Sequence, residues 1–252
     1  MKLSRKSIQW ISPIYSRLIG AIAYGPWGPL HQILIAVFKR IYKIQWPETS
    51  SFKSLGEFFL RKVPLRIQSA ELISPVEGYC LEGPAPAHPP LQLTVKGVRY
   101  VWSDFFEIDW RNLPKATYWN LYLAPHNYHW VHACCSGSHL EGLYHSGSLF
   151  PVNSWGRKIA PQLYTENERL TFRWKSPEFG WIYMICVGAM AVSGLRSSFG
   201  AVREGSWTPL ASKVTKGDEV LAFELGSTVI LLVERPPASL NQHSVLSVGD
   251  GL

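Results

Sequence analysis

The chain has 252 residues, 46% of them apolar and 17% charged, with 11 Trp, 11 Tyr and 11 Phe, which excludes a disordered chain and suits one large domain with an extension. Its 25 Lys and Arg outnumber 18 Asp and Glu, for a formal charge of +7. Four cysteines, Cys80, Cys134, Cys135 and Cys186, form no CxxC pair; they exclude a disulfide scaffold and fit reduced thiols.

The charge excess lies at the start of the chain. Residues 1 to 47 hold seven Lys and Arg and no acid, and the rest balances at 18 basic and 18 acidic groups. Trp10, Ile11, Ile14, Tyr15, Leu18, Ile19 and Ile22 precede the break Gly25-Pro26-Trp27-Gly28-Pro29. Pro29 suits the first turn of a second helix, in which Leu30, Ile33, Leu34, Val37, Ile41 and Ile44 recur at helical spacing. Two short amphipathic helices are expected. The longest clean apolar run, Ile33 to Phe38, is closed by Lys39 and Arg40, well short of the roughly 20 residues that span a bilayer. Ser12, Pro13, Ser16 and Arg17 also interrupt any secretory apolar core, so the segment is expected to stay on the mature chain.

The expected role of residues 1–47 is an interfacial anchor, with apolar groups in the acyl boundary and cations near anionic headgroups. That makes the protein peripheral to the cell membrane, on its cytoplasmic side. A helix docked on the chain's own core is the competing reading. Nucleic acid is a poorer partner, because the cations alternate with bulky aliphatics instead of forming a solvated stripe.

Residues 48–252 read as one domain built mainly from strands. Phe52 to Arg61 suggests a short helix that ends before Pro64, and the Pro-rich segment 83–91 suggests a loop. Thr117–Ala124, Trp181–Val187 and Glu219–Glu234 have strand composition. The expected fold is α+β, with N-terminal amphipathic helices followed by a mainly antiparallel β core. Neither GxxxxGKS nor GxGxxG occurs, so nucleotide chemistry has no support.

Three clusters could carry chemistry. Tyr128-His129-Trp130-Val131-His132 offers two imidazoles for proton transfer near neutrality; they share a face in a helical turn and oppose one another in a strand. His126, Cys134, Cys135 and His139 lie nearby but match no common zinc spacing, and no metal is expected. Pro75-Val76-Glu77-Gly78 sets a carboxylate in an apolar turn, where it could orient a histidine or simply be solvated. Leu225-Gly226-Ser227-Thr228 inserts a small polar step into an otherwise apolar strand, which marks a bulge or a nucleophile held against a peptide carbonyl.

LGST at 225–228, YHWVH at 128–132, PVEG at 75–78, EFFLR at 57–61, LFPVN at 149–153 and NER at 167–169, in this order and spacing, resemble the pyruvoyl-dependent phosphatidylserine decarboxylase family. The resemblance spans about residues 15 to 235. It implies that the Gly226–Ser227 bond cleaves itself, leaving chains 1–226 and 227–252 that stay associated. Ser227 then becomes a pyruvoyl group, the covalent cofactor, with neither metal nor nucleotide. It further implies that Ser227 attacks the Gly226 carbonyl, that His132 is its base with the Glu77 carboxylate behind it, and that His129 returns a proton. Phosphatidylserine would form a Schiff base with the pyruvoyl group and lose carbon dioxide to give phosphatidylethanolamine, and the processed units would form a dimer. The family's usual residue at the Glu77 position is Asp. An unprocessed, non-enzymatic membrane-associated relative is therefore the alternative, and a serine hydrolase using Ser227, His132 and Glu77 comes third, lacking a GxSxG elbow.

Overall fold

In the computed structural model, which describes residues 5–46, 52–87, 92–95, 98–105, 116–152, 154–190, 194–224 and 227–252, two helices open the chain as the periodicity predicts. They are α1, Arg5–Tyr24, and α2, Leu30–Tyr42. Pro29 stands just before α2, where its missing N–H costs no helical bond. The faces are reversed relative to a core-packed helix. α1 turns Ile8, Ser12, Ser16 and Ala23 inward and leaves Trp10, Ile14 and Leu18 in solvent; α2 buries His31 and Ile35 and exposes Leu30, Ile33, Val37 and Ile41. The helices dock on the rest of the chain through Ile8, Ala23 and Ile35, while most of the apolar stripe read from the spacing faces outward. No described helix is long and apolar enough to cross a membrane.

A short third helix, α3, covers Leu55–Phe59. Ser54 Oγ accepts the Glu57 N–H at 3.0 Å, which satisfies one of the donors that open the helix, and Glu57 accepts the N–H of Lys53, the residue before the cap, at 2.7 Å. Buried His31 ties the helices together: its Nδ1 accepts from the Leu55 N–H at 3.2 Å and its Nε2 donates to the Gly25 carbonyl at 2.7 Å.

The β domain follows, with β1 (Gly78–Pro86), β2 (Gln92–Val95), β3 (Val98–Val101), β4 (Thr117–Leu123), β5 (Trp130–His132) and β6 (Gly137–His145). After helices α4 (Ser154–Ile159) and α5 (Leu163–Glu166) come β7 (Arg169–Ser176), β8 (Gly180–Val187), β9 (Leu195–Ser197), β10 (Thr208–Val214), β11 (Glu219–Phe223), β12 (Ser227–Val233) and β13 (Val245–Leu246). An eight-stranded sheet runs β10-β6-β7-β8-β12-β4-β1-β13, a three-stranded one runs β5-β11-β9, and β2 and β3 form a hairpin. Among the described residues every pairing between these strands is antiparallel, so the fold is α+β with a mainly antiparallel core.

Two expectations need correction. Residues 83–86 belong to β1, where register shifts between Cys80 and Glu82 and between Glu82 and Ala85 absorb the prolines; a bulge frees the ladder position that proline cannot fill. Residues 88–91 lie outside the described segments. Glu219–Glu234 is two strands in different sheets, β11 ending at Phe223 and β12 beginning at Ser227.

Side-chain alternation along β12 divides the core. Val229, Leu231 and Val233 join a cluster with Leu121 and Leu123 of β4, Val131 of β5 and Leu221 and Phe223 of β11, against which the small sheet packs. Ile230 and Leu232 face a second cluster with Tyr118, Ile185, Phe150, Tyr164 and Ile8. Val229 to Val233 are all fully buried in an inner strand, worth on the order of 10 kcal/mol of apolar burial.

Candidate active site

Two connections link the sheets. One leaves β4 at Leu123 and enters β5 through the histidine segment; the other leaves β11 at Phe223 and enters β12 at Ser227. Leu123 pairs with Ser227 at one end of this crossing, and the Phe223 N–H donates to the His129 carbonyl at 3.0 Å at the other. Ser227 is thereby held near the YHWVH segment by backbone pairing alone. By alternation with Val229, its side chain faces the cluster that contains Val131 and Phe223. Its hydroxyl is fully buried and, among the described residues, has no hydrogen-bond partner. Leu225 and Gly226, where cleavage is expected, lie outside the described residues.

The YHWVH segment is not helical: its last three residues are strand β5 and Tyr128 and His129 lead into it. His129 and His132 are both buried. His129 Nδ1 donates to the Asn127 carbonyl at 2.8 Å, leaving Nε2 a bare, buried acceptor. Burial holds this imidazole at about 3, only partly opposed by its bond to the Asn127 carbonyl, so it is neutral at physiological pH. His132 Nδ1 donates to the Gly217 carbonyl at 2.7 Å, and its Nε2 accepts the Tyr128 hydroxyl at 3.2 Å. Its pKa is also lowered, first by burial. In both rings a backbone carbonyl fixes the tautomer and presents Nε2 as the base.

The EFFLR motif braces this segment. Phe59 of α3 packs on the His129 ring with centroids 4.1 Å apart, Trp130 Nε1 donates to the Leu60 carbonyl at 3.0 Å, and Arg61 donates to the His126 carbonyl at 2.7 Å. The PVEG turn lies on its other side, where the His132 N–H donates to the Pro75 carbonyl at 2.9 Å. Gly78 belongs there for lack of room: a Cβ would sit 2.2 Å from the Tyr122 carbonyl oxygen.

Glu77 and His132 are brought into one neighbourhood but are not bonded to each other. Glu77 Oε1 accepts the Asn127 side-chain amide at 2.9 Å, and both His132 ring nitrogens are engaged elsewhere. The buried Arg61 guanidinium, whose pKa burial lowers, feels the opposing pull of the Glu77 charge. On its open side Glu77 lines a polar cavity of about 600 Å³ with Arg66, Gln68 and Asp250. The residue types and spacing did not single out Asn127 or Tyr128 as partners, since side-chain pairing across two loops leaves no periodic trace.

The remaining motifs are structural. Asn167 of NER accepts the Phe150 N–H at 2.8 Å and donates to the Phe150 and Gly188 carbonyls, each at 2.8 Å, clasping the LFPVN run; Asn153 itself lies outside the described residues. Cys134 and Cys135 are free, buried thiols, and among the described residues no group of three or more His, Cys, Asp or Glu could hold a metal ion.

A family model for phosphatidylserine decarboxylase matches residues 55–251, a span that contains both histidines, Glu77, Asn127 and Ser227. The chain is 31% identical to the phosphatidylserine decarboxylase proenzyme of Escherichia coli O9:H4, over 98% of this chain and 86% of that one. It is 30% identical to the proenzyme of Dickeya dadantii, over 89% and 83% of the two chains. With the proenzyme of Pasteurella multocida it shares 29% identity, over 94% and 88%. The buried serine, the two Nε2 bases and the aligned span of these proenzymes lead to one conclusion: the chain belongs to the phosphatidylserine decarboxylase family, a family of carboxy-lyases.

Proposed function

We propose that this chain is a self-processing phosphatidylserine decarboxylase that cleaves between Gly226 and Ser227 and carries its pyruvoyl group at residue 227. The observation that carries the reading is that Ser227 Oγ and His129 Nε2 are both buried without a partner among the described residues, on backbones joined by the Leu123–Ser227 and His129–Phe223 pairings. Leaving such groups unpaired costs about 1–3 kcal/mol each, a cost expected where the groups serve chemistry. A pyruvoyl group fits residue 227, because the side chain it replaces has no hydrogen bond to lose.

In self-cleavage His132 Nε2 takes the Ser227 hydroxyl proton once Tyr128 releases that nitrogen. Glu77, held by Asn127, supplies negative charge to the neighbourhood without touching the ring. In the decarboxylation, the pyruvoyl group supplies the electron sink. His129 is the proposed proton donor to the substrate: its lowered pKa keeps it neutral at rest and makes its protonated form a strong acid once a proton reaches Nε2. The 26 residues of the small chain stay associated, because β12 cannot leave without exposing five aliphatic side chains.

Residues 1–47 serve as the anchor at an anionic membrane surface. The support is the outward face of Trp10, Ile14, Leu18, Leu30, Ile33, Val37 and Ile41 on a segment without acids. Phosphatidylserine, itself an anionic lipid, is the substrate, taken from the cytoplasmic side of the cell membrane.

Intact-mass analysis of the denatured protein, with Ser227→Ala beside it, tests the proposal. The expected result is chains 1–226 and 227–252, the second blocked by a carbonyl, together with carbon dioxide release from carboxyl-labelled phosphatidylserine in liposomes. The bond from Asn127 to Glu77, where a direct link to His132 was expected, favours a second reading: a membrane-associated relative in which Glu77 does not support maturation. A single intact chain with liposomes present would establish that reading instead.

A further inference from the structure

The strand paired with His132 carries a carboxylate that no motif marked. Glu219 of β11 is the register partner of His132 of β5. Side chains directly opposite in an antiparallel pair share a face, with Cβ atoms about 4.5–5.5 Å apart. The two residues before Glu219 hold the same stretch of β5: the Gly217 carbonyl accepts from His132 Nδ1 at 2.7 Å, and the Asp218 carbonyl accepts the Ala133 N–H at 2.8 Å. Lys62, just after α3, donates from Nζ to Glu219 Oε1. Its ammonium also lies 3.2 Å from the centroid of the Trp130 ring, two residues before His132 and so on the same face of β5. A carboxylate and an ammonium, bonded to each other, thus stand together beside the ring.

The other titratable groups around His132 are engaged elsewhere or act on it directly. Tyr128 donates its hydroxyl to Nε2 at 3.2 Å. His129 is bonded to the Asn127 carbonyl and Glu77 to the Asn127 amide. Asp218 accepts the Thr215 N–H of its own turn at 2.7 Å. Burial acts first on the His132 ring and the Gly217 bond second; Glu219 then raises its affinity for a proton, and Lys62 opposes that. Glu219 also bears on Tyr128 ahead of Glu77. Both members of the ion pair are partly exposed, so water screens them and each moves the ring only modestly.

We infer that Glu219 and Lys62 are positioning residues for the His132 base, whose opposed charges set the pH range over which the chain cleaves itself; this rests on the proposed decarboxylase reading. The PVEG turn gives its carboxylate to Asn127, and the pairing of β11 with β5 brings another to the histidine. When Nε2 takes the Ser227 proton the ring becomes a cation, and an anion on the facing strand stabilises that cation as it forms. The ammonium bonded to the anion limits the effect, so the ring stays neutral before the reaction and is able to act as a base.

The test uses the full chain in two forms. In a Ser227→Ala chain, which lacks the nucleophile, NMR titration of the His132 ring, assigned by its loss in His132→Gln, reads protonation directly. In the chain with Ser227, made by cell-free synthesis, the rate of fragment appearance is followed against pH. Glu219→Gln should move the His132 titration and the acid limb of the cleavage profile down by about half a pH unit, and Lys62→Gln should move both up by a similar amount. The double variant should return both close to their wild-type positions. A pair with a structural role alone gives a different pattern, since either substitution breaks the same bond and both would slow cleavage alike without displacing it along the pH axis. Shifts of the same sign, or none, overturn the inference. Opposite shifts of the titration in a chain that never cleaves, wild type included, uphold the pair's hold on His132 and remove the self-processing reading. A wild-type chain that cleaves with a profile neither substitution displaces keeps that reading and removes the inference.

Discussion

Asn127 Nδ2 donates to Glu77 Oε1 at 2.9 Å, and Asn127 Oδ1 accepts the Ala124 N–H at 2.9 Å. One amide thus ties the PVEG carboxylate to the start of the crossing that leads from β4 to His129. The carboxylate's position is set through the loop beside it, and that of the His132 ring through the Gly217 carbonyl.

Asn127→Ala leaves the Ala124 N–H and one carboxylate oxygen without partners. The expected loss is about 1–3 kcal/mol of stability, with self-cleavage slowed at least several-fold as Glu77 is released. Chemical denaturation and the time course of fragment appearance by mass spectrometry check both. Unchanged cleavage would show that the position of Glu77 is unimportant.

Tyr128→Phe removes the donor on His132 Nε2. Stability should fall by about 1 kcal/mol, while cleavage proceeds at the wild-type rate or faster, since the base no longer has to release Tyr128 before meeting Ser227. A variant that folds but cleaves much more slowly would instead make the tyrosine a positioning group for the base.

The buried histidines give stability a pH slope. Burial holds His129 at about 3 and lowers His132, against an unfolded value near 6.5. Between the folded and unfolded values the unfolded chain binds protons that the folded chain refuses. Stability is therefore full above about pH 6.5 and lost as pH falls toward 3, by an amount on the order of a few kcal/mol. His129→Gln should flatten the curve of denaturation midpoint against pH. A slope equal to that of wild type would place the titration elsewhere.

Gly78→Ala pushes a methyl group to 2.2 Å from the Tyr122 carbonyl oxygen. Backbone on both sides leaves little room to yield, so the expected cost is about 3 kcal/mol or more, seen as a lowered melting temperature and poor recovery of soluble protein.

At the membrane face, replacing Ile33 and Ile41 by Ser together should reduce binding to anionic liposomes at least tenfold, since each buried aliphatic contributes about 1.5–3 kcal/mol. Binding of the unaltered protein should also rise with anionic lipid and weaken with salt. Flotation assays that show no dependence on either would remove the anchor.

The local elements were legible from sequence because their causes are local. Helical spacing marked α1 and α2, the short apolar runs marked β4 and β8, and an unbroken aliphatic stretch marked β12 as an inner strand. The motif set carried the family. What sequence could not decide depends on which strands meet. Glu219–Glu234 reads as one strand but divides between two sheets, since a sheet crossing is set by long-range pairing. The prolines at 84 and 86 read as loop but lie in β1, since a bulge elsewhere in the ladder determines whether their missing N–H matters. Glu77 was expected behind His132, and the tertiary structure gave its carboxylate to Asn127 and the His132 ring to Tyr128 and Gly217. Side-chain partners are chosen by distances of a few ångströms between segments far apart in the chain, and only the assembled fold fixes those distances.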